Sequence, residues 1–148
     1  MQNTIDHNKK KNGLFHCTSS CKYHKTGYVI ECKSFKFGRY FQFEWTYNRF
    51  FTCNSKNVLY LLQCKHCWKF YIGETGDLKE RTRLHKSNVL HPHNSNCRKL
   101  SEHLRSCSSL TEPYFVIYPL YYVEDQQRRR FIEKRFIKLY KPPLNSDT

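Results

Sequence analysis

Two pairs of soft metal ligands stand at short spacings in this chain, Cys64-x2-Cys67 and His103-x3-Cys107. The first pair falls in a tight loop between two β-rich runs. The second lies on a helical stretch, where residues four apart share a face. Two ligands from a hairpin knuckle and two from a helix face make a tetrahedral zinc site of the ββα-finger kind, and zinc accepts thiolate as readily as imidazole. Cys17, Cys21, Cys32 and Cys53 gather with His24 at irregular spacing, so a second zinc site there is left open and its ligand set undefined. A different chemistry attaches to Arg81 and Glu133. Arginine carries a permanently charged planar fork matched to phosphate oxygens, and magnesium is satisfied by one or two carboxylates completed by water. Around Glu133 stand Arg128, Arg129, Arg130, Lys134, Arg135, Lys138 and Lys141. On an average helix that would be a solvated face; beside a metal-binding carboxylate it reads as a clamp on a nucleic-acid backbone.

Positioning these groups takes a small α+β unit. Residues 58–63 are β-rich, a second strand covers 69–73, and the link through Cys64 and Cys67 makes the two a hairpin. Asp77 has the chemistry of a helix cap, and Leu78, Arg81 and His85 at helical intervals predict a helix over about 78–87. A second helix is expected near 98–106, followed by a strand through Phe115 and Ile117 bounded by Pro113 and Pro119. The clearest helix covers 125–140, with Ile132, Phe136 and Leu139 on one face. Pro142-Pro143 ends it, because proline cannot continue the hydrogen-bond ladder. The order β-β-α-α-β-α describes a small mixed three-stranded sheet flanked by helices. Residues 1–56 read as an extension bearing Cys, Lys and aromatics, with strand candidates at 28–30 and 41–43, ahead of a domain at 57–148.

The charge balance narrows the partners. Lys plus Arg number 26 against 12 Asp plus Glu, a formal net charge of +14, and a field of that sign attracts polyanions. No apolar run approaches a membrane span, the nearest being 58–62, and residues 1–13 carry no hydrophobic signal segment. The reading is a soluble, intracellular, nuclear protein that binds nucleic acid and no membrane. In a reducing interior, clustered cysteines are more often thiolate ligands than bridges.

Val58-Leu59-Tyr60, then ten residues, then Tyr71-Ile72-Gly73 resembles the paired motif of the GIY-YIG nucleases, with Val58 where glycine often stands. Arg81 follows Gly73 by eight positions and His85 by twelve, similar to the arginine and histidine of that family's first helix. Glu133 on the last helix and Asn145 after the double proline are similar to its metal-binding glutamate and terminal asparagine. The wording around the motifs, Asn57 to Cys64 and Tyr71 to Gly76, looks like the endonuclease of Penelope-like retroelements, as do the cysteines between the motifs. The resemblance covers about 57–148. It implies a DNA-nicking endonuclease with Tyr60 as general base, and with Tyr71 and His85 positioning water and phosphate. Glu133 would hold Mg2+ (or Mn2+), and the zinc would be structural. It also implies a reverse transcriptase in a parent element that extends the 3′-hydroxyl of the nick.

Two rivals stand beside this. One is a zinc-dependent nucleic-acid-binding module that kept the fold and lost turnover; the complete set of Tyr60, Tyr71, Arg81, Glu133 and Asn145 argues against it. The other is a protein-interaction zinc domain, which the +14 charge disfavours.

Overall fold

The elements of the computed structural model, which describes residues 11–145, run in the following order. Four short strands, β1 (Gly13–Phe15), β2 (Ser34–Phe37), β3 (Phe43–Thr46) and β4 (Phe50–Thr52), come first, with a one-turn helix, α1 (Lys22–Lys25), after β1. Then follow β5 (Lys56–Cys64), β6 (Phe70–Asp77), α2 (Leu78–Leu90), α3 (Arg98–Ser108), β7 (Phe115–Tyr122) and α4 (Gln126–Tyr140). Residues 1–10, part of the stretch read above as lacking a signal segment, lie outside the described residues.

The apolar run 58–62 suits a strand covered on both faces, and β5 is the middle strand of a sheet ordered β6-β5-β7. Both pairings are antiparallel. The mixed three-stranded sheet expected from the sequence is thereby corrected: β7 runs the same way as β6, but β5 separates them, and the parallel pair in the molecule is the separate β1–β4 ribbon. Tyr60 lies opposite Gly73. A Cβ at Gly73 would sit 2.6 Å from the Tyr60 hydroxyl, so only glycine leaves room for that ring. β7 also passes through Pro119, where the sequence predicted a stop. An outer strand tolerates a missing N–H, and the register shift opposite Leu59 and Tyr60 absorbs the irregularity.

Asp77 caps α2 as expected, its carboxylate accepting from Glu80 N at 3.2 Å. The helix runs through Leu90, about a turn beyond its expected end, because Val89 is buried and extends the stripe of Leu78, Thr82 and His85. Asp125 caps α4, accepting from Arg128 N at 2.8 Å, and Lys141 ends it in a left-handed conformation before the two prolines. The inner face of α4 differs from the expected one. Leu139 is 67% exposed, while Phe136 and Tyr140 pack inward against Trp45, Phe37 and Phe43.

Those three partners belong to the 1–56 segment, whose described residues join the core. Phe35 stacks on Tyr118 at 3.8 Å, and the Tyr47 hydroxyl donates to Pro119 O at 2.7 Å. Neither strand candidate there forms a strand. Residues 28–30 make a turn, held by the Tyr28 ring packing on Tyr23, Tyr114 and Phe115. Phe41 closes a 3₁₀ turn with Tyr40, both at positive φ, and β3 starts only at Phe43. Two local ties complete the frame. Ile117 N donates to Tyr28 O at 2.9 Å. The Asn145 amide brackets Ile72, accepting from its N–H and donating to its carbonyl, each at 2.9 Å.

Candidate functional site

Tyr60 projects from β5 with no exposed surface, and its hydroxyl lies 2.7 Å from His85 Nε2 on α2. Burial pushes the Tyr60 phenol well above its usual range, and the Arg81 guanidinium opposes that rise. His85 is held down to about 3 by burial and then by Arg81, so its ring is neutral. Arg81 precedes His85 by one helical turn, which sets both on the side of α2 that faces the two tyrosines. Tyr71 on β6 places its ring 5.8 Å from His85 and 6.2 Å from Tyr60. Its hydroxyl meets the Cys97 thiol at 3.2 Å, and burial pushes this phenol upward as well.

Glu133 reaches in from α4. Together with Tyr71, Cys97, Arg98 and Asn145 it lines a pocket of 240 Å³. Burial, then the neighbouring Glu74 carboxylate, raises its carboxyl to about 7 against the pull of Arg130 and Arg81. Tyr60, Tyr71, Arg81, His85 and Glu133 thus lie near one another. Asn145 joins the pocket wall with its amide already committed to the Ile72 backbone, which makes it a positioning residue. Two further residues belong here that sequence reasoning assigned no role. Cys97 is a lone cysteine in a polar loop, with no spacing partner to flag it. Glu74 directly follows the second tyrosine motif, which was its only signal.

Of the basic residues around Glu133, Arg128, Lys134, Arg135 and Lys138 are exposed. Arg129 is not, and its assignment to a nucleic-acid-binding face is corrected. Only 3% of it is exposed. Its guanidinium donates to Glu74 Oε1 at 2.8 Å and to the Val123 and Glu124 carbonyls at 2.9 and 3.2 Å. A guanidinium buried and bonded in this way fastens α4 to β6 rather than lying on the open face of the helix.

Cys64, Cys67, His103 and Cys107 bring their ligand atoms within 4.8 Å of one another. Two or more thiolates with an imidazole are a donor set that can hold a metal such as zinc. His103 is lowered by burial and by Lys69, which keeps its nitrogen lone pair available. Burial pushes the Cys64 thiol up to about 12, a cost that a dication offsets by stabilising the thiolate. A second group, Cys17, Cys21 and Cys53, meets the same distance test. Burial alone would raise the Cys17 thiol, but Lys79 Nζ at 3.0 Å and the neighbouring thiols bring it down to about 7. Cys32 and His24 stand outside this cluster. The Cys32 thiol is raised to about 11 by burial, and the His24 ring stacks on His16 at 4.0 Å.

No helix among the described residues is long and apolar enough to cross a membrane. No family model, curated protein or solved structure matches this chain.

Proposed function

We propose that the chain is a divalent-cation-dependent endonuclease of the GIY-YIG kind, nicking DNA by hydrolysis of a phosphodiester bond. What carries the reading is the meeting of Tyr60, Tyr71, Arg81, His85 and Glu133, drawn from β5, β6, α2 and α4, around one site. Arg81 holds a non-bridging phosphate oxygen, where its fixed charge opposes the charge that builds up during attack. Tyr60, in the phenolate form that Arg81 and a bound dication would favour, takes a proton from the attacking water, and His85 Nε2 holds its hydroxyl in place. Tyr71 orients the water and the phosphate. Glu133 suits a hard cation: its carboxyl is half-buried beside Glu74, and a dication relieves the cost of ionising it. Mg2+, or Mn2+, bound there would supply positive charge for the phosphate and the departing oxygen. Arg128, Lys134, Arg135 and Lys138 would track the DNA backbone, and the zinc cluster ties the hairpin loop to α3. In an element-borne enzyme, the nick exposes a 3′-hydroxyl that a reverse transcriptase extends.

One observation favours a second reading, a catalytically inactive zinc-dependent nucleic-acid-binding module. Tyr60 is fully buried and its phenol is held protonated. Plasmid nicking decides between them. Nicking that requires Mg2+ and vanishes in Glu133→Gln supports the nuclease. Tight DNA binding without any nicking assigns the chain to the second reading.

A further inference from the structure

Away from Glu133, a groove of 720 Å³ opens between the 3₁₀ turn Arg39–Phe41 and the hairpin loop at Cys67 and Trp68. Its walls are aromatic and in open view: Tyr40 is 82% exposed, Phe41 45% and Trp68 37%. All three sit at positive φ, of 65°, 56° and 66°. Left-handed backbone is uncommon for bulky side chains, and here it turns three rings outward from the core. Phe41 and Trp68 meet edge to face at 5.9 Å. Cations accompany the rings. Arg39 lies 5.0 Å from the Tyr40 ring, Lys65 lies 5.4 Å from that of Trp68, and Lys69 lines the groove, which has no acidic residue in its wall. Gly38 makes the turn possible, since a Cβ there would meet the Phe43 ring at 2.8 Å.

We infer that this groove binds single-stranded nucleic acid, its rings stacking on unpaired bases and its cations pairing with the phosphates between them. The charge is complementary to a polyanion, and stacking on exposed rings favours bases that a duplex would keep hidden. Continuity with the pocket supports the same occupant. Pro143 lines the groove while its neighbours Leu144 and Asn145 line the pocket of Glu133 and Tyr71. A strand held at Glu133 is thus led over residues 143–145 onto Trp68. The inference rests on the nuclease reading for its substrate class, and it adds a preference for DNA unpaired next to the scissile bond. The knuckle that carries Trp68 is the one whose Cys64 and Cys67 belong to the zinc cluster, so metal binding fixes one wall of the groove.

The chain has two tryptophans, which makes the test direct. In a Trp45→Phe background, with no divalent cation added, fluorescence of Trp68 is followed as oligo-dT or a duplex of equal length is titrated. Saturable quenching, stronger for oligo-dT than for the duplex, is expected. Read instead by the anisotropy of end-labelled oligo-dT, Tyr40→Ala with Trp68→Leu should weaken binding by about tenfold or more, the scale on which removing one or two stacking rings acts. Trp68→Phe, which keeps an aromatic face, should retain most of the affinity. Unchanged oligo-dT affinity in the double variant, with zinc content and circular dichroism intact, overturns the inference. Because no cleavage is read, the two proposals fail separately. Quenching in a chain that never nicks removes only the nuclease; nicking in a chain that never quenches removes only the groove.

Discussion

Glu133 and Arg129 lie four positions apart on one helix and call for opposite expectations. Glu133→Gln should abolish Mg2+-dependent nicking and leave DNA binding nearly intact, as gel shift and a nicking assay on one preparation will show. Nicking at near wild-type rate in saturating Mg2+ would remove Glu133 from the metal site. Arg81→Ala should lower the rate by at least about 100-fold, the scale on which transition-state charge stabilisers act. Arg129→Ala acts on the fold instead: it leaves the half-buried Glu74 with Arg130 alone, at 3.6 Å, and strips the Val123 and Glu124 carbonyls of their donor, a loss of about 2 kcal/mol readable in a denaturant titration. His85 yields a pH signature. Its folded pKa of about 3 lies below the ordinary 6.5, so between those values the unfolded chain binds a proton that the folded one refuses. Stability should therefore fall as pH drops from about 6.5 toward 3. His85→Gln should show less of that loss in parallel melts, with the zinc ligands common to both. In the sequence, Tyr60, Tyr71, Arg81, His85 and Glu133 were marked as one set by the resemblance of their motifs and gaps to the GIY-YIG pattern. It could not separate Arg129 from Arg128, since only the tertiary approach of Glu74 decides which of two adjacent cations is swallowed.

The cluster of Cys64, Cys67, His103 and Cys107 joins two elements. β5 and the loop after it supply Cys64 and Cys67, and α3 supplies His103 and Cys107. Chelation, or Cys107→Ala, should lower the melting temperature and cost helical signal, since α3 would be released from its main tie to the hairpin loop. Metal analysis of protein purified under reducing conditions should find one firmly held zinc, and a second if Cys17, Cys21 and Cys53 also bind. No zinc at all would dismiss both clusters. The long elements were legible because caps and periodicity are local properties: Asp77, Asp125 and Pro142 mark ends that the structure keeps. The misreadings arose where tertiary packing overrules local pattern. Leu139 fits the apolar stripe of α4, yet the aromatics of β2 and β3 approach from Phe136 and Tyr140 and leave it in solvent. Residues 28–30 are β-prone residue types, but the Tyr28 ring is claimed by a cluster of aromatics and the backbone bends.

At the scale of the whole molecule, a +14 charge would make the proposed binding to DNA a matter of released counterions. The logarithm of affinity should fall linearly with the logarithm of salt. Replacing Arg128 and Lys138 together by alanine should shallow that slope by roughly 0.9 for each duplex phosphate no longer neutralised, equally for unrelated sequences. A double variant with unaltered slope and affinity would show this face to be merely solvated. The ties at Ile72 and Ile117 bear on another collective property. β6 and β7 flank the sheet, and strands so placed offer their free amides to any other chain, the usual start of edge-to-edge aggregation. Asn145 occupies both backbone groups of Ile72 with a side-chain imitation of a peptide, and Tyr28 occupies the amide of Ile117. A near-isosteric change, Asn145→Leu, should thus turn a monodisperse sample into one that grows by strand addition, visible as thioflavin binding and rising light scattering.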